Sequence, residues 1–225
     1  MATFVLVPGM CHGAWSFEPL TEPLRLLGHR VHALTLTGVA ERAHLLTSTV
    51  NLDTHIEDVA GVLEAEDIEN AVLVGHSYGG MVITGVADRL PERVDSLVYL
   101  DALVPQDGDC LFDLIPAEPD WHRTVGETGY AIPPLPFFDP RTTPHPLASA
   151  LQRIRLSGDL SRFRSRTYVY ATESEWGGPS PFTALYERLQ TDPQWTTHAL
   201  AGKHDLMRDV PGELLEILLE SAPAA

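Results

Sequence analysis

The chain has 225 residues, 44% hydrophobic and 20% charged, which fits a globular domain with enough chain to bury a substantial core. Its formal net charge is −16, which argues against nucleic acid or an anionic membrane as partner, since both would repel it. No apolar run approaches a membrane span and no signal-type segment precedes the first strand. The two cysteines, Cys11 and Cys110, suit neither a metal site nor a disulfide framework, so a reducing cytoplasm is expected.

Short apolar strands alternate with amphipathic helices, which predicts an α/β fold: a mostly parallel, doubly wound sheet of about six strands in one domain spanning 1–225. Thr3–Val7 reads as a buried strand. Trp15–Leu27 reads as a helix with Phe17, Leu20, Leu24 and Leu27 on one side. Arg30–Leu36 is the next strand, and 37–50 a polar loop. Asp53–Glu66 has Ile56, Val59 or Ala60, and Leu63 at helical spacing. Ala71–Val74 is a strand that meets G-H-S-Y-G, and a helix from Met81 to Leu90 stops before Pro91. Val94–Leu100 is a strand with Asp101 at its end. Arg166–Ala171 and Thr197–Leu200 are the last strands, and Pro211 opens a final helix over Gly212–Ser221.

The stretch from about 105 to 150 breaks this alternation. It holds nine of the eighteen prolines and the aromatics Phe112, Trp121, Tyr130, Phe137 and Phe138. Prolines exclude a long helix or a central strand there. An insertion over the carboxyl edge of a parallel sheet, about 105–160, reads as a lid, whose aromatics either line an apolar substrate site or form the lid's own core.

The strand–G-x-S-x-G–helix pattern makes Ser77 the candidate nucleophile. A serine on so sharp a bend is thrust out above the sheet edge, and glycines at 75 and 79 let strand and helix close on one another. A serine hydroxyl needs a base. Among ten histidines His204 is best placed, in the loop between the last strand and the C-terminal helix. His76 reads as a packing or loop-anchoring residue. The acid that orients the imidazole is Asp101, or else Glu173 or Glu175 after the next strand; Asp101 is favoured. The backbone N–H groups of Tyr78 and Met10 are the candidate oxyanion donors. Cys11 reads as a buried thiol. No metal or cofactor is required.

The segments F-V-L-V-P-G-M-C-H-G-A-W, G-H-S-Y-G-G-M, Y-L-D-A-L-V-P and K-H-D-L-M together resemble the α/β-hydrolase superfamily, most of all the plant-type methyl esterase and hydroxynitrile lyase group and its bacterial esterase relatives. The similarity runs from residue 3 to about 219 and is weakest in the lid. It implies Ser77 as nucleophile, His204 as base, and Met10 and Tyr78 as backbone donors. Three departures stand out. Pro8-Gly9 replaces the family's usual His-Gly. Ser174 stands where the usual aspartate falls, which strengthens Asp101. The threonine and lysine of the lyases are Gly9 and Asp205 here, and Lys203 precedes His204, so cyanohydrin cleavage is not expected. The expectation is a serine esterase acting on a small-molecule ester. Lactone opening, carbon–carbon cleavage or a non-hydrolytic step on the same triad is the alternative, followed by a ligand receptor with the same fold.

Overall fold

The sequence between Phe4 and Val7 has no polar residue, and the strand it forms is buried on both faces. A computed structural model describes residues 1–115, 125, 128–158 and 160–223. Among these the elements are β1 (Thr3–Val7), α1 (Glu18–Leu26), β2 (Arg30–Ala33), α2 (Leu52–Ala65), β3 (Ala71–His76), α3 (Gly79–Arg89), β4 (Val94–Leu100), α4 (Leu111–Leu114), β5 (Ala131–Ile132), β6 (His145–Pro146), α5 (Leu147–Leu151), β7 (Ser165–Ala171), α6 (Thr183–Gln190), β8 (Thr196–Leu200), α7 (Leu206–Asp209) and α8 (Pro211–Glu220). Six strands form one sheet in the order β2-β1-β3-β4-β7-β8, with every neighbouring pair parallel. β5 and β6 form a separate antiparallel ladder.

Strand side chains alternate between faces, and here the alternation separates two cores. Phe4, Leu6, Val72, Val74, Val98 and Leu100 pack with Leu20 and Leu24 of α1 and Leu214 and Leu218 of α8. Val5, Val7, Leu73, Leu97 and Tyr99 pack with α2 and α3 on the opposite face. The sheet is therefore covered by helices on both sides, as the continuous apolar strands predict.

Element ends depart from the sequence reading for local reasons. The helix expected from Trp15 opens as a 3-10 turn, Ala14–Phe17, and becomes α-helical at Glu18, where Pro19 occupies the first turn. Leu27, expected on the buried side, is 55% exposed. It lies just past the helix end, where Gly28 at φ +85 turns the chain away. β2 stops at Ala33 because its partner β1 ends at Val7. β3 runs on to His76, and α3 begins at Gly79, two residues before Met81. A side chain on Gly79 would strike the carbonyl of Val7, and one on Gly75 would lie 2.7 Å from the Gly79 carbonyl. Among the described residues, the segment between β4 and β7 contains only short helices and the two-residue strands, as its prolines demand. Trp121 lies outside the described residues.

α2 begins in a capping box. The Asn51 side chain accepts from the Thr54 N–H at 3.0 Å, and the Thr54 hydroxyl accepts from the Asn51 N–H at 3.3 Å. Replacing Asn51 with alanine is expected to cost about 1 kcal/mol, read as a fall of about 2–4 °C in Tm. Asn51→Asp, which keeps an acceptor, should stay within a degree or so of the parent on the same scan.

Candidate active site

Ser77 closes the bend between β3 and α3 at φ +52, a left-handed conformation that a non-glycine residue adopts only under constraint. The constraint comes from the neighbouring strand. The Ser77 N–H donates to the Leu100 carbonyl at 3.1 Å, and the Leu103 N–H donates to the Ser77 carbonyl, also at 3.1 Å. Asp101 lies between those two partners. It too is left-handed, at φ +41, with its N–H donating to the Val169 carbonyl at 2.7 Å. The serine bend and the strand-end carboxylate are thus fixed to one another through the backbone.

His204 follows β8 and is buried, as is Asp101. Its Nδ1–H donates to Asp101 Oδ2 at 2.7 Å, while the N–H of Ala171 donates to the other carboxylate oxygen at 3.3 Å. The tautomer is set by that partner: Nδ1 carries the proton and Nε2 the lone pair. Nε2 is buried and, among the described residues, has no hydrogen-bond partner, Ser77 included. The imidazole is wedged between rings. Phe182 lies parallel to it at 5.3 Å, Trp176 meets it edge-on at 5.3 Å, and His76 approaches to 4.6 Å.

The alternative acids lie elsewhere. Glu173 is exposed and Glu175 half-buried, on the wall of an open cleft of about 700 Å³ that also includes Phe137 and Lys203. Desolvation raises the Glu175 pKa, and the nearby Asp205 carboxylate adds to the rise. Ser174 is exposed and donates its hydroxyl to the Gly178 carbonyl.

The loop after β1 packs directly under the bend. A Cβ on Gly9 would lie 2.9 Å from Ser77 Cβ and equally close to His76 Nδ1, so the loop approaches this near only with glycine in that position. Met10 follows in the same loop. Among the described residues neither the Met10 nor the Tyr78 N–H is engaged by another group. Cys11 is buried, and burial pushes its thiol pKa well above the ordinary value. Among the described residues no group of three or more His, Cys, Asp or Glu side chains is arranged to hold a metal ion, and no helix is long and apolar enough to cross a membrane.

Two groups of residues at the site escape the sequence reading. One is the pair Trp176 and Phe182 that flanks His204; Phe137 and Phe138, expected among the lid aromatics, pack on Trp176 at 5.2 Å and on His12 at 4.9 Å. Of the aromatics expected in the lid, Phe112 instead packs against the main core. The other group is a polar knot behind the histidine. His12 Nδ1–H donates to the Met10 carbonyl at 2.7 Å, and His76 Nε2–H to the His204 carbonyl at 3.0 Å. Asp205 Oδ1 stands 3.5 Å from His12 Nε2 and 3.9 Å from His76 Nε2. Sequence marked His76 as an anchor, which it is. His12 and Asp205 carried no such signal beyond being polar residues in motif segments.

A model of the α/β hydrolase family matches residues 4–221, and the chain belongs to that family. It is 40% identical to a carbendazim hydrolyzing esterase of Nocardioides sp. (strain SG-4G), over 97% of this chain and 98% of the relative. It is 31% identical to salicylic acid-binding protein 2 of Nicotiana tabacum, over 97% and 96% respectively. In structure it resembles an extracellular α/β-hydrolase from a Paenibacillus species, at TM-score 0.84 and 23% identity across the whole of both chains.

Burial opposes a charge on Asp205, but the His12 ring, its Nε2 3.5 Å from Oδ1, and the nearby His76 and His204 rings hold its carboxyl well below the usual range. A carboxylate depressed in the folded state contributes stability above its unfolded pKa, near 3.9, and that contribution is lost as pH falls below it. Asp205→Asn is therefore expected to lower unfolding free energy at pH 7 by about 1–3 kcal/mol. In urea titrations the gap from the parent should be full above about pH 5 and close progressively below about pH 4.

Proposed function

We propose that this chain hydrolyses the carboxylic ester of a small, largely apolar molecule through an acyl-enzyme. Ser77 is the nucleophile, His204 the general base and acid, and Asp101 the carboxylate that orients it. The observation that carries this reading is the buried 2.7 Å Asp101–His204 hydrogen bond, which leaves Nε2 as a free acceptor on a ring 4.6 Å from that of His76, the residue before the strained Ser77.

The chemistry follows from those positions. Substrate entry draws Ser77 Oγ and His204 Nε2 into the hydrogen bond that is open here, as is usual for a catalytic contact that tightens only in the complex. Nε2 takes the hydroxyl proton while Oγ attacks the acyl carbon. Asp101 stabilises the imidazolium. The tetrahedral oxyanion is received by the N–H groups of Met10 and Tyr78, each worth about 2.7–4 kcal/mol of barrier. The imidazolium returns its proton to the departing alcohol. Water, deprotonated by the same Nε2, then releases the acid and restores Ser77.

The segment of about 105–160 serves as a lid within a single domain. Phe137 and Phe138 lie over the site, packed on Trp176 and His12, and this supports an apolar acyl or alcohol group. Hydrolysis of carbendazim by the Nocardioides relative agrees with a small substrate. Both cysteines are free, which supports a reducing compartment such as the cytoplasm.

With 4-nitrophenyl acetate as substrate, Ser77→Ala should lower kcat by at least about 10⁴-fold with an unchanged circular dichroism spectrum. Asp101→Asn should lose about 10⁴-fold, because an asparagine can hold the wrong tautomer of His204. Glu173→Gln and Glu175→Gln should match the parent. Full turnover in the serine variant would remove the nucleophile, and a crippled glutamate variant beside an active Asp101→Asn would move the acid.

A further inference from the structure

The loop that carries Met10 belongs to no helix or strand, yet its geometry is closely determined. The peptide joining Met10 to Cys11 is held at both ends. Its carbonyl accepts from His12 Nδ1 at 2.7 Å, and its N–H, on Cys11, donates to His145 Nδ1 at 3.2 Å. Cys11 itself is fully buried in the left-handed region at φ +68, which a cysteine keeps only where its surroundings enforce it. Its carbonyl accepts from the Thr143 N–H at 3.1 Å. Both backbone groups of Cys11 are therefore gripped by residues 143–145, at the entry to β6 in the segment read as the lid.

His145 is itself fixed. It is completely buried. Because Nδ1 accepts from Cys11, the proton is on Nε2, which donates to Ser149 Oγ at 3.0 Å, and that hydroxyl donates onward to the Pro146 carbonyl at 2.8 Å. Burial, with the His55 and His12 rings nearby, holds its pKa well below the ordinary histidine value, so the neutral tautomer persists. The other face of the site meets the same ring. The Tyr78 side chain packs edge-on against His145 at 4.8 Å. Its hydroxyl donates to His55 Nδ1 at 2.9 Å, and His55 Nε2–H donates to the Thr37 carbonyl, also at 2.9 Å.

The geometry points to His145 as a positioning residue for catalysis: its ring sets the Met10–Cys11 peptide and braces Tyr78, so that both oxyanion donors are held in register from the lid. This rests on the proposed roles of Met10 and Tyr78. Nothing in the role requires His145 to touch substrate. Its effect falls on the step in which the carbonyl oxygen gains charge, because donors misplaced by an ångström lose most of their value there and little in ground-state binding.

The test uses His145→Leu, His145→Asn and His145→Gln in the full chain. Asparagine places an oxygen where Nδ1 stands and can still accept from Cys11. Glutamine reaches the Nε2 position and keeps Ser149 but loses that acceptor. Titration to endpoint with a fluorophosphonate counts intact sites, and kcat and KM for 4-nitrophenyl acetate are then expressed per intact site. The leucine and glutamine variants should lose roughly tenfold to a hundredfold in kcat. Their KM and the pH midpoint of kcat should be unchanged, and asparagine should recover to within a few-fold of the parent. Parental kcat in the leucine or glutamine variant overturns the inference, as does asparagine no better than glutamine, a contrast that stands even where leucine fails to fold. A rise in KM with kcat unchanged also overturns it. If Ser77→Ala keeps turning over, the esterase reading has failed; if it is inactive while His145→Gln is not, only the role of His145 has.

Discussion

The site is built on the two backbone hydrogen bonds that bracket Ser77. Its N–H goes to the Leu100 carbonyl and its carbonyl takes the Leu103 N–H, so the end of β4 clasps the bend after β3. A left-handed serine costs about 1–2 kcal/mol relative to an ordinary conformation, and an isolated turn would relax. Here relaxation would break two bonds at the buried edge of the sheet. The same clasp places Asp101 between the partner residues and forces it into the left-handed region as well. One constraint thus supplies the left-handed turn at Ser77 and the location of the carboxylate, and parallel pairing of β4 with β7 extends it: the Asp101 N–H and side chain bond to Val169 and Ala171.

The imidazole arrives from a different part of the chain and must be held by other means. Phe182 and Trp176 confine its faces and edge, while the His76 side chain holds its carbonyl. His76 is fully buried, and desolvation keeps it neutral far below the ordinary histidine range. That neutrality matters electrostatically. A second positive charge 4.6 Å from the His204 ring would oppose formation of the imidazolium that the proposed mechanism requires.

How much of this was legible in the sequence depends on range. The six-strand sheet follows from short apolar runs such as Phe4–Val7 and Ala71–Val74 alternating with amphipathic helices, and the bend at Ser77 from glycines whose absent side chains permit contact with β1 and within the turn. The placement of Asp101 beside His204 was legible because a carboxylate ending a buried strand has only the sheet edge to face, whereas Glu173 and Glu175 stand in a turn-rich segment that leaves the first exposed and the second half-buried on a cleft wall. Boundaries were less legible. β2 is cut short by the length of β1, and Leu27 is exposed by the turn at Gly28, both set by neighbours rather than by periodicity. The grip of His145 on Cys11 was not legible at all. It joins residues 134 apart through a backbone N–H, and a backbone donor leaves no mark on residue type.

Asp205 shows how a departure from the family pattern is absorbed. The lyases of this group carry a lysine at that position, and a cation there would stand against the rings of His12 and His76. A carboxylate does the opposite. Its charge favours the polarised N–H groups that these two rings present, one to the Met10 carbonyl and the other to the His204 carbonyl. A single buried charge therefore supports the Met10 loop and the His204 loop together. Asp101 faces the His204 ring while Asp205 faces those of His12 and His76, so each carboxylate has its own ring nitrogens.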